Sequence, residues 1–160
     1  MYSNDTSIKP NPAFFKVITI IHFALLIGQV LFGITVFSIT NSTAINLKAG
    51  NDPFFYAVPF LILFGILGGT FVFKQQVAKF AGKQLLIEKT QGYQTALITR
   101  FALAEGPSLF GIVSYMLTGN AFYLILIGLN VLYFIWIRPT KSKAEDDLNL
   151  SYEDKIVLGW

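Results

Sequence analysis

Long stretches without a formal charge constrain this chain more than any other feature of its sequence. The first covers residues 17–39, and it begins directly after Lys16. A helix needs about 20 mainly apolar residues to cross about 30 Å of hydrocarbon, so a run of this length predicts a membrane span. Of the 160 residues, 54% are hydrophobic and 13% are charged, about half the charged share that is usual in soluble domains. We therefore expect an integral membrane protein.

Four such runs predict four membrane spans. Only Glu105 interrupts the third run, and Gly119 and Asn120 separate the third from the fourth. Gly-Asn is a turn signal, so the last two spans should form an antiparallel hairpin. The predicted fold class is all-α, an integral membrane bundle of four transmembrane helices. The predicted spans are about residues 14–39, 54–74, 99–118 and 121–138.

Lysine and arginine set the predicted orientation. Of the 12 basic residues, only Lys48 lies in the connection between spans one and two, and none lies in the turn between spans three and four. The positive-inside rule then puts both termini in the cytoplasm. The isoelectric point near 9.1 reflects this topology and contact with anionic lipid headgroups, so it does not indicate a nucleic-acid groove. The other basic residues are Lys9, Lys16, Lys74, Lys79, Lys83, Lys89, Arg100, Arg138, Lys141, Lys143 and Lys155.

Outside the spans, two segments show helical patterns. Residues 75–98 are predicted to extend spans two and three into the cytoplasm as helices, with the turn between them at residues 90–92. Residues 141–160 are predicted to form a separate cytoplasmic tail. In it, Ser151 and Asp154 have the spacing of a capping box, which predicts a helix; a partly disordered tail is the alternative. The docking face of that helix would consist of Ile156, Val157, Leu158 and Trp160.

Polar side chains inside the predicted spans are the candidate functional residues. Glu105, His22 and Asn130 belong to spans three, one and four. At 1.5 Å per residue they lie roughly 7 to 12 Å from the nearest basic residue on the cytoplasmic side, hence at comparable depth. Burying an ionised side chain in hydrocarbon is costly, so an acid there is a functional hypothesis by default. The three residues are therefore a candidate proton or ion site.

A structural role is the alternative interpretation of the same residues. Hydrogen bonds between membrane helices help to hold bundles together, for about 1 kcal/mol or less each. Asn130 and the deeper Gln29 suit that role. Glu105 could be kept neutral by burial, which raises the pKa of a carboxyl group. It could also be paired with His22 or Arg100.

The residues Gly106 and Pro107 directly follow the acid and predict a helix kink. Pro107 has no N–H, and its ring pushes against the carbonyl of Leu103, which then needs a partner inside the bundle. The kink would let Gly106 bring a neighbouring helix close to Glu105. Span two offers a small-residue surface, GILGGT, that suits such an approach. The predicted close-packing residues in it are Gly65, Gly68 and Gly69.

Residues 93–113, YQTALITRFALAEGPSLFGIV, resemble the second helix of the proteolipid subunit c of rotary ATP synthases. In that family a T-A-x-I stretch leads to A-L-x-E-(G/A) and then to an aliphatic and an aromatic residue. The resemblance is local, because this chain has four predicted spans and carries the acid in the third. It implies that Glu105 is a reversible proton carrier at a helix–helix surface. The matching residues are Thr95, Ala96, Ile98, Ala102, Leu103, Glu105, Gly106, Leu109 and Phe110.

As a whole, the chain resembles the small uncharacterised four-helix inner-membrane proteins of bacteria, which implies a multi-pass protein of the bacterial inner membrane. We expect a non-enzymatic protein, an accessory or structural subunit of a membrane complex, with proton or ion handling through Glu105 as the alternative. The chain has no cysteine and one histidine, which excludes disulfides, thiolate nucleophiles and multi-histidine metal sites. No metal and no cofactor are predicted. The expected partners are the lipid bilayer and either other membrane subunits or further copies of the chain; nucleic acid is not expected.

Overall fold

The computed structural model describes residues 13–48, 50 and 52–160. Lys9, which contributed to the predicted orientation, lies outside them. No strand occurs in the described residues, and the all-α prediction is confirmed. The helices are α1 (Phe14–Thr40), α2 (Phe54–Ala81), α3 (Leu86–Thr118), α4 (Phe122–Trp136), α5 (Lys141–Leu148) and α6 (Tyr152–Leu158).

Helix α3 is the centre of the fold, because α1, α2 and α4 all pack against it. Helices α2 and α3 form an antiparallel hairpin around residues 82–85. Helix α1 runs in the same direction as α3, and α4 runs in the opposite direction. We call the end that carries residues 82–85 the hairpin end. The opposite end, with residues 41–48, 50, 52 and 53 and the turn between α3 and α4, is the loop end.

Three helices, α1, α2 and α3, are long and apolar enough to cross a membrane. Helix α4 has 15 residues, which is about 22 Å at 1.5 Å per residue. It meets the same criterion only together with α5, from which it is bent by 71°. The structure therefore supports a multi-pass protein with three or four spans, where the sequence predicts four.

The outer faces of α1, α2 and α4 are apolar. Soluble monomers rarely expose contiguous apolar patches of more than a few hundred Å², whereas a lipid environment favours such a surface. These side chains surround the helices along most of their length, which agrees with membrane insertion. More than half exposed are Ile20, Ile27, Leu31, Ile34, Phe60, Leu63, Phe64, Leu67, Phe71, Leu129 and Leu132.

The connection between α2 and α3 differs from the sequence prediction. Residues 90–92 lie inside α3, and the break falls at residues 82–85, so the predicted turn is wrong. Gly92 serves a contact instead, since a Cβ on it would lie 2.1 Å from Cγ of Phe80. The ring of Phe80 therefore packs directly on the α3 backbone, and this contact closes the hairpin.

The tail forms two short helices with side-chain caps. The Thr140 side chain accepts a hydrogen bond from the Lys143 N–H at the start of α5. At the start of α6, Ser151 and Asp154 form the predicted capping box, with the side chain of each bonded to the backbone N–H of the other. Such caps satisfy N–H groups that have no partner within the helix.

Part of the predicted docking face of α6 makes contact with the rest of the protein. Leu158 is buried, and the Trp160 ring stacks on Phe14 at the start of α1, with the ring centroids 5.8 Å apart. Ile156 and Val157 remain more than half exposed. The last residues of the α6 segment therefore contact α1, and Asp154 near its start lies 3.7 Å from Nζ of Lys89 in α3.

Candidate functional site

The His22 ring of α1 packs against aromatic rings of α3 and α4. Its ring lies parallel to that of Phe134 in α4, with an interplanar angle of 4° and a centroid distance of 4.7 Å. The ring of Phe101 in α3 is 4.9 Å away. His22 is only 1% exposed, and its Nδ1 has no hydrogen-bond partner among the described residues.

Asn130 ties α4 to α3 through two hydrogen bonds. Its Nδ2 donates to the carbonyl oxygen of Ala104 at 2.7 Å and to Oγ of Ser108 at 2.8 Å. The side chain is 1% exposed, and its Oδ1 has no partner in the described part of the chain. Asn130 thus acts as a polar bridge inside the bundle and keeps one acceptor unused.

Glu105 is half-buried in α3. The structure gives it no hydrogen bond and no ion pair within the described residues. Its depth follows from two contacts between the parallel helices α1 and α3, His22 with Phe101 and Gly33 with Ile112. Both pairs have the same offset in residue number, so the α1 residue level with Glu105 is Leu26.

Arg100 leaves α3 on a different face from Glu105. Its guanidinium carbon lies 4.8 Å from the centroid of the Phe73 ring in α2, and its Nη2 donates to the Tyr133 hydroxyl at 3.4 Å. Five residues along a helix correspond to a rotation of about 140°, which separates the two side chains. The structure does not bring Glu105 into an ion pair with Arg100 or with His22.

Gln29 adds a further buried polar group close to the acid. It is 2% exposed, and neither atom of its amide has a partner among the described residues. By the register of α1 and α3 it is level with Ser108, the residue that Asn130 binds. The Gln29 amide and the Asn130 Oδ1 therefore lie within about one helical turn of the level of Glu105. Buried polar atoms are usually hydrogen-bonded, so this layer has unused hydrogen-bonding capacity.

Helices α2 and α3 approach most closely at Gly65. A Cβ on Gly65 would lie 2.3 Å from the carbonyl oxygen of Leu103 and 2.9 Å from Cγ of Pro107. One turn further along α2, a Cβ on Gly69 would lie 3.4 Å from Cβ of Leu103. These two glycines allow α2 to lie against the backbone of α3.

Two other residues predicted to pack closely are placed differently. Among the described residues, the only side chain within 4 Å of a Cβ on Gly68 is that of Phe64, in the same helix. A Cβ on Gly106 would meet nothing within 4 Å in the part of the chain that the structure describes. Helix α3 continues through Gly106 and Pro107 without interruption, and the kink stays a prediction.

A polar contact at the hairpin end was missed in the sequence. Tyr93 is 1% exposed, and its hydroxyl donates to Oδ2 of Asp147 at 3.1 Å. Burial raises the pKa of Asp147, and the bond from Tyr93 lowers it again in part. Ala144 and Leu148 are the buried residues of α5, and Asp147 lies on the same face of that helix. The helical spacing of these three residues was the signal in the sequence that could have indicated a contact of Asp147 with the bundle.

Lys143 caps the C-terminal end of α4, also at the hairpin end. Its Nζ donates to the carbonyl oxygens of Trp136 at 2.9 Å and Arg138 at 3.2 Å. Loss of hydration and the nearby charges of Arg100 and Arg138 lower the pKa of Lys143. A cation at this position also complements the negative end of the helix dipole.

Side chains of α3 and of the turn that follows it hold the loop end in place through hydrogen bonds. Asn120 accepts a hydrogen bond from the Asn46 N–H at 3.0 Å and donates to the Asn46 carbonyl at 2.9 Å. The Tyr115 hydroxyl donates to the Ser42 carbonyl at 2.7 Å. The chain that leaves α1 is therefore fixed to α3 and α4 by side-chain to backbone hydrogen bonds.

Among the described residues, no three His, Asp or Glu side chains come together as metal ligands. Comparison with protein-family models, with curated proteins and with solved structures finds no match to this chain.

Proposed function

We propose that this chain is a non-enzymatic integral membrane protein of the bacterial inner membrane, an accessory or structural subunit of a membrane complex. The use of its intramembrane polar residues supports this role. His22 stacks on the Phe134 ring and packs against the tilted ring of Phe101, and Asn130 bonds α4 to α3. Two of the three candidate site residues thus contribute to helix packing.

In this proposal α1 to α4 are four spans, and the hairpin end and both termini face the cytoplasm. The distribution of basic residues is the support, because Lys48 alone belongs to the loop end. The absence of cysteine from the sequence allows a clean test with single-cysteine variants. A membrane-impermeant maleimide should label Lys48→Cys in intact spheroplasts and Lys83→Cys only after permeabilisation. The reverse pattern would contradict the orientation.

The subunit role predicts an assembly larger than one chain. Gentle extraction followed by mass determination should give a particle that contains further membrane polypeptides, either other subunits or additional copies. Crosslinking in the native membrane before extraction checks that the assembly does not form in detergent. A single chain in the membrane and in every detergent tested would contradict this role.

A second candidate function is proton or ion handling through Glu105. One observation favours it: this acid has no partner among the described residues, and it lies at the level of unused hydrogen-bonding atoms on Gln29 and Asn130. His22 Nδ1 adds another such atom about one turn away. An intramembrane acid that is not engaged in packing remains free to exchange a proton.

Reconstituted vesicles distinguish the two functions. If Glu105 carries protons, a proton flux driven by a potassium diffusion potential should be present with the unmodified chain and absent with Glu105→Gln. Glu88→Gln is the matched control, since Glu88 lies at the hairpin end beside Lys83 and should leave the flux unchanged. A flux no greater than that of protein-free vesicles would reject the second function. Labelling of Glu105 by dicyclohexylcarbodiimide tests independently for a protonated carboxyl accessible from lipid.

A further inference from the structure

An open cavity of about 430 Å³ lies where α6 docks against the start of α1. Trp160 forms one wall, because its ring stacks on Phe14 and meets the edge of Phe15 at a centroid distance of 5.4 Å. The cavity therefore depends on the folded tail. Its lining residues are Phe15, Lys16, Thr19, Ile20, Lys141, Leu158, Gly159 and Trp160.

The rim of this cavity is positively charged. Lys16 and Lys141 are both exposed, and Nζ of Lys141 lies 5.6 Å from the centroid of the Trp160 ring. No aspartate or glutamate side chain is among the described residues that line it. Two ammonium groups, with no aspartate or glutamate side chain in the described lining, favour an anion at the rim.

The floor of the cavity is apolar and leads onto the outer face of α1. The Thr19 hydroxyl is already bonded to the carbonyl of Phe15 at 2.8 Å. Ile20 is 57% exposed and Phe23 is 48% exposed, so an apolar surface continues from the cavity towards the middle of the uncharged run. Lys16 is the last charged residue before that run, which places the rim at the level of the lipid headgroups.

We propose that this cavity binds an anionic glycerophospholipid, with its phosphate between Lys16 and Lys141 and an acyl chain along Ile20 and Phe23. Both ends of the molecule are matched: a negative headgroup by the two ammonium groups, and a hydrocarbon chain by the exposed face of α1. The tail residue Trp160 completes the site, so lipid binding also holds α6 against α1. The proposal depends neither on Glu105 nor on a partner subunit.

Native mass spectrometry of the delipidated full chain can test this by titration with phosphatidylglycerol, with phosphatidylcholine of the same chain length as the uncharged-headgroup comparison. Phosphatidylglycerol should bind first and more tightly. Lys16→Gln and Lys141→Gln should each weaken it about fivefold, the effect expected for one basic residue near a membrane surface. Lys74→Gln removes the same charge from an exposed position at the end of the second uncharged run, and it should have no effect.

Lys141→Arg keeps the charge and the contact with the Trp160 ring, so it should retain binding and show that a loss in Lys141→Gln reflects charge. Equal weakening by Lys74→Gln, or equal affinity for the two lipids, would overturn the proposal. Competition with glycerol phosphate is the last measurement. If glycerol phosphate displaces phosphatidylglycerol at an equal concentration, the site binds a free phosphate and the lipid assignment is wrong.

Discussion

Gly65 in α2 and the backbone carbonyl of Leu103 in α3 are in direct contact, since a Cβ on Gly65 would lie 2.3 Å from that oxygen. Pro107 stands four residues after Leu103 and has no N–H to donate to it. The hydrogen that glycine carries in place of Cβ points at the oxygen, in the arrangement of a weak Cα–H···O bond. A glycine of one helix thus contacts the carbonyl that a proline of the next helix leaves without its usual donor.

Gly65→Ala should destabilise the protein, because the added methyl group must push α2 away from a backbone atom. Overpacking of this kind costs about 1 to 3 kcal/mol. Gly68→Ala is the matched control, as a Cβ there would lie 3.9 Å from Phe64 of the same helix and contact no other helix. It should be neutral or stabilising by up to about 1 kcal/mol, the difference in helix propensity.

Thermal unfolding in one detergent, followed by circular dichroism, measures both variants. A lower melting temperature for Gly65→Ala and an unchanged or higher one for Gly68→Ala is the expected pair of results. Equal changes in the two variants would mean that the close approach of α2 to α3 at Gly65 does not contribute to stability.

The bond between Asn130 and Ser108 should contribute a measurable coupling energy. Asn130→Ala, Ser108→Ala and the double variant form a cycle in which the pair interaction is the deviation from additivity. Hydrogen bonds between membrane helices average about 0.6 kcal/mol and reach about 1.7 kcal/mol in such cycles. We expect a value in this range from unfolding equilibria in mixed micelles. Additive effects of the two substitutions would show that the 2.8 Å contact does not stabilise the fold.

The helical framework could be predicted from the long uncharged runs, of which only Glu105 interrupts one, and from the turn residues between them. The turn after α3 follows from Gly119 and Asn120, which favour a turn. The break between α2 and α3 could not be located in this way. Gly92 resembles a turn residue in sequence, but it is glycine because the Phe80 ring packs on it. A tertiary contact therefore decided a position that local propensity would have assigned to a turn.

For the candidate site, the sequence could predict the depth of each residue along its helix, but not the helix face on which its side chain lies. Residue spacing places His22, Glu105 and Asn130 at similar heights, but it does not say which face of each helix meets a neighbour. The structure turns Arg100 towards Phe73 and gives Glu105 no polar partner among the described residues. A rotation of one residue, about 100°, separates a buried position from an exposed one on a helix, so small differences in packing decide such pairings.

Asp147 should make stability depend on pH in a direction opposite to that of a salt-bridged acid. Burial raises its pKa in the folded state from the ordinary value of 3.8, so the folded chain keeps this proton to higher pH than the unfolded chain. The free energy of unfolding should therefore fall as pH rises from about 4 through the folded pKa, and then level off. Tyr93, Arg100 and Lys143 face this group and reduce the shift.

Asp147→Asn cannot titrate at this position and should remove that part of the slope. Melting temperatures between pH 4 and pH 8 compare it with the unmodified chain and with Asp146→Asn, an exposed neighbour. The slope should persist in Asp146→Asn. If Asp147→Asn retains the full slope as well, Asp147 is not the group responsible for it.

Tyr115→Phe should loosen the loop end without disturbing the helices. The variant keeps the buried ring but loses the hydroxyl that donates to the Ser42 carbonyl at 2.7 Å, a bond worth about 0.5 to 1.5 kcal/mol. The chain after α1 should then open more often, and its amides should exchange hydrogen faster.

Tyr56→Phe is the control, since Tyr56 is 70% exposed. Faster exchange confined to residues 42–48 in Tyr115→Phe, measured by mass spectrometry in detergent, is the expected result. Unchanged exchange there would show that the loop is held without help from the Tyr115 hydroxyl, by bonds such as those of Asn120 to Asn46 and of Ser42 to Gly119.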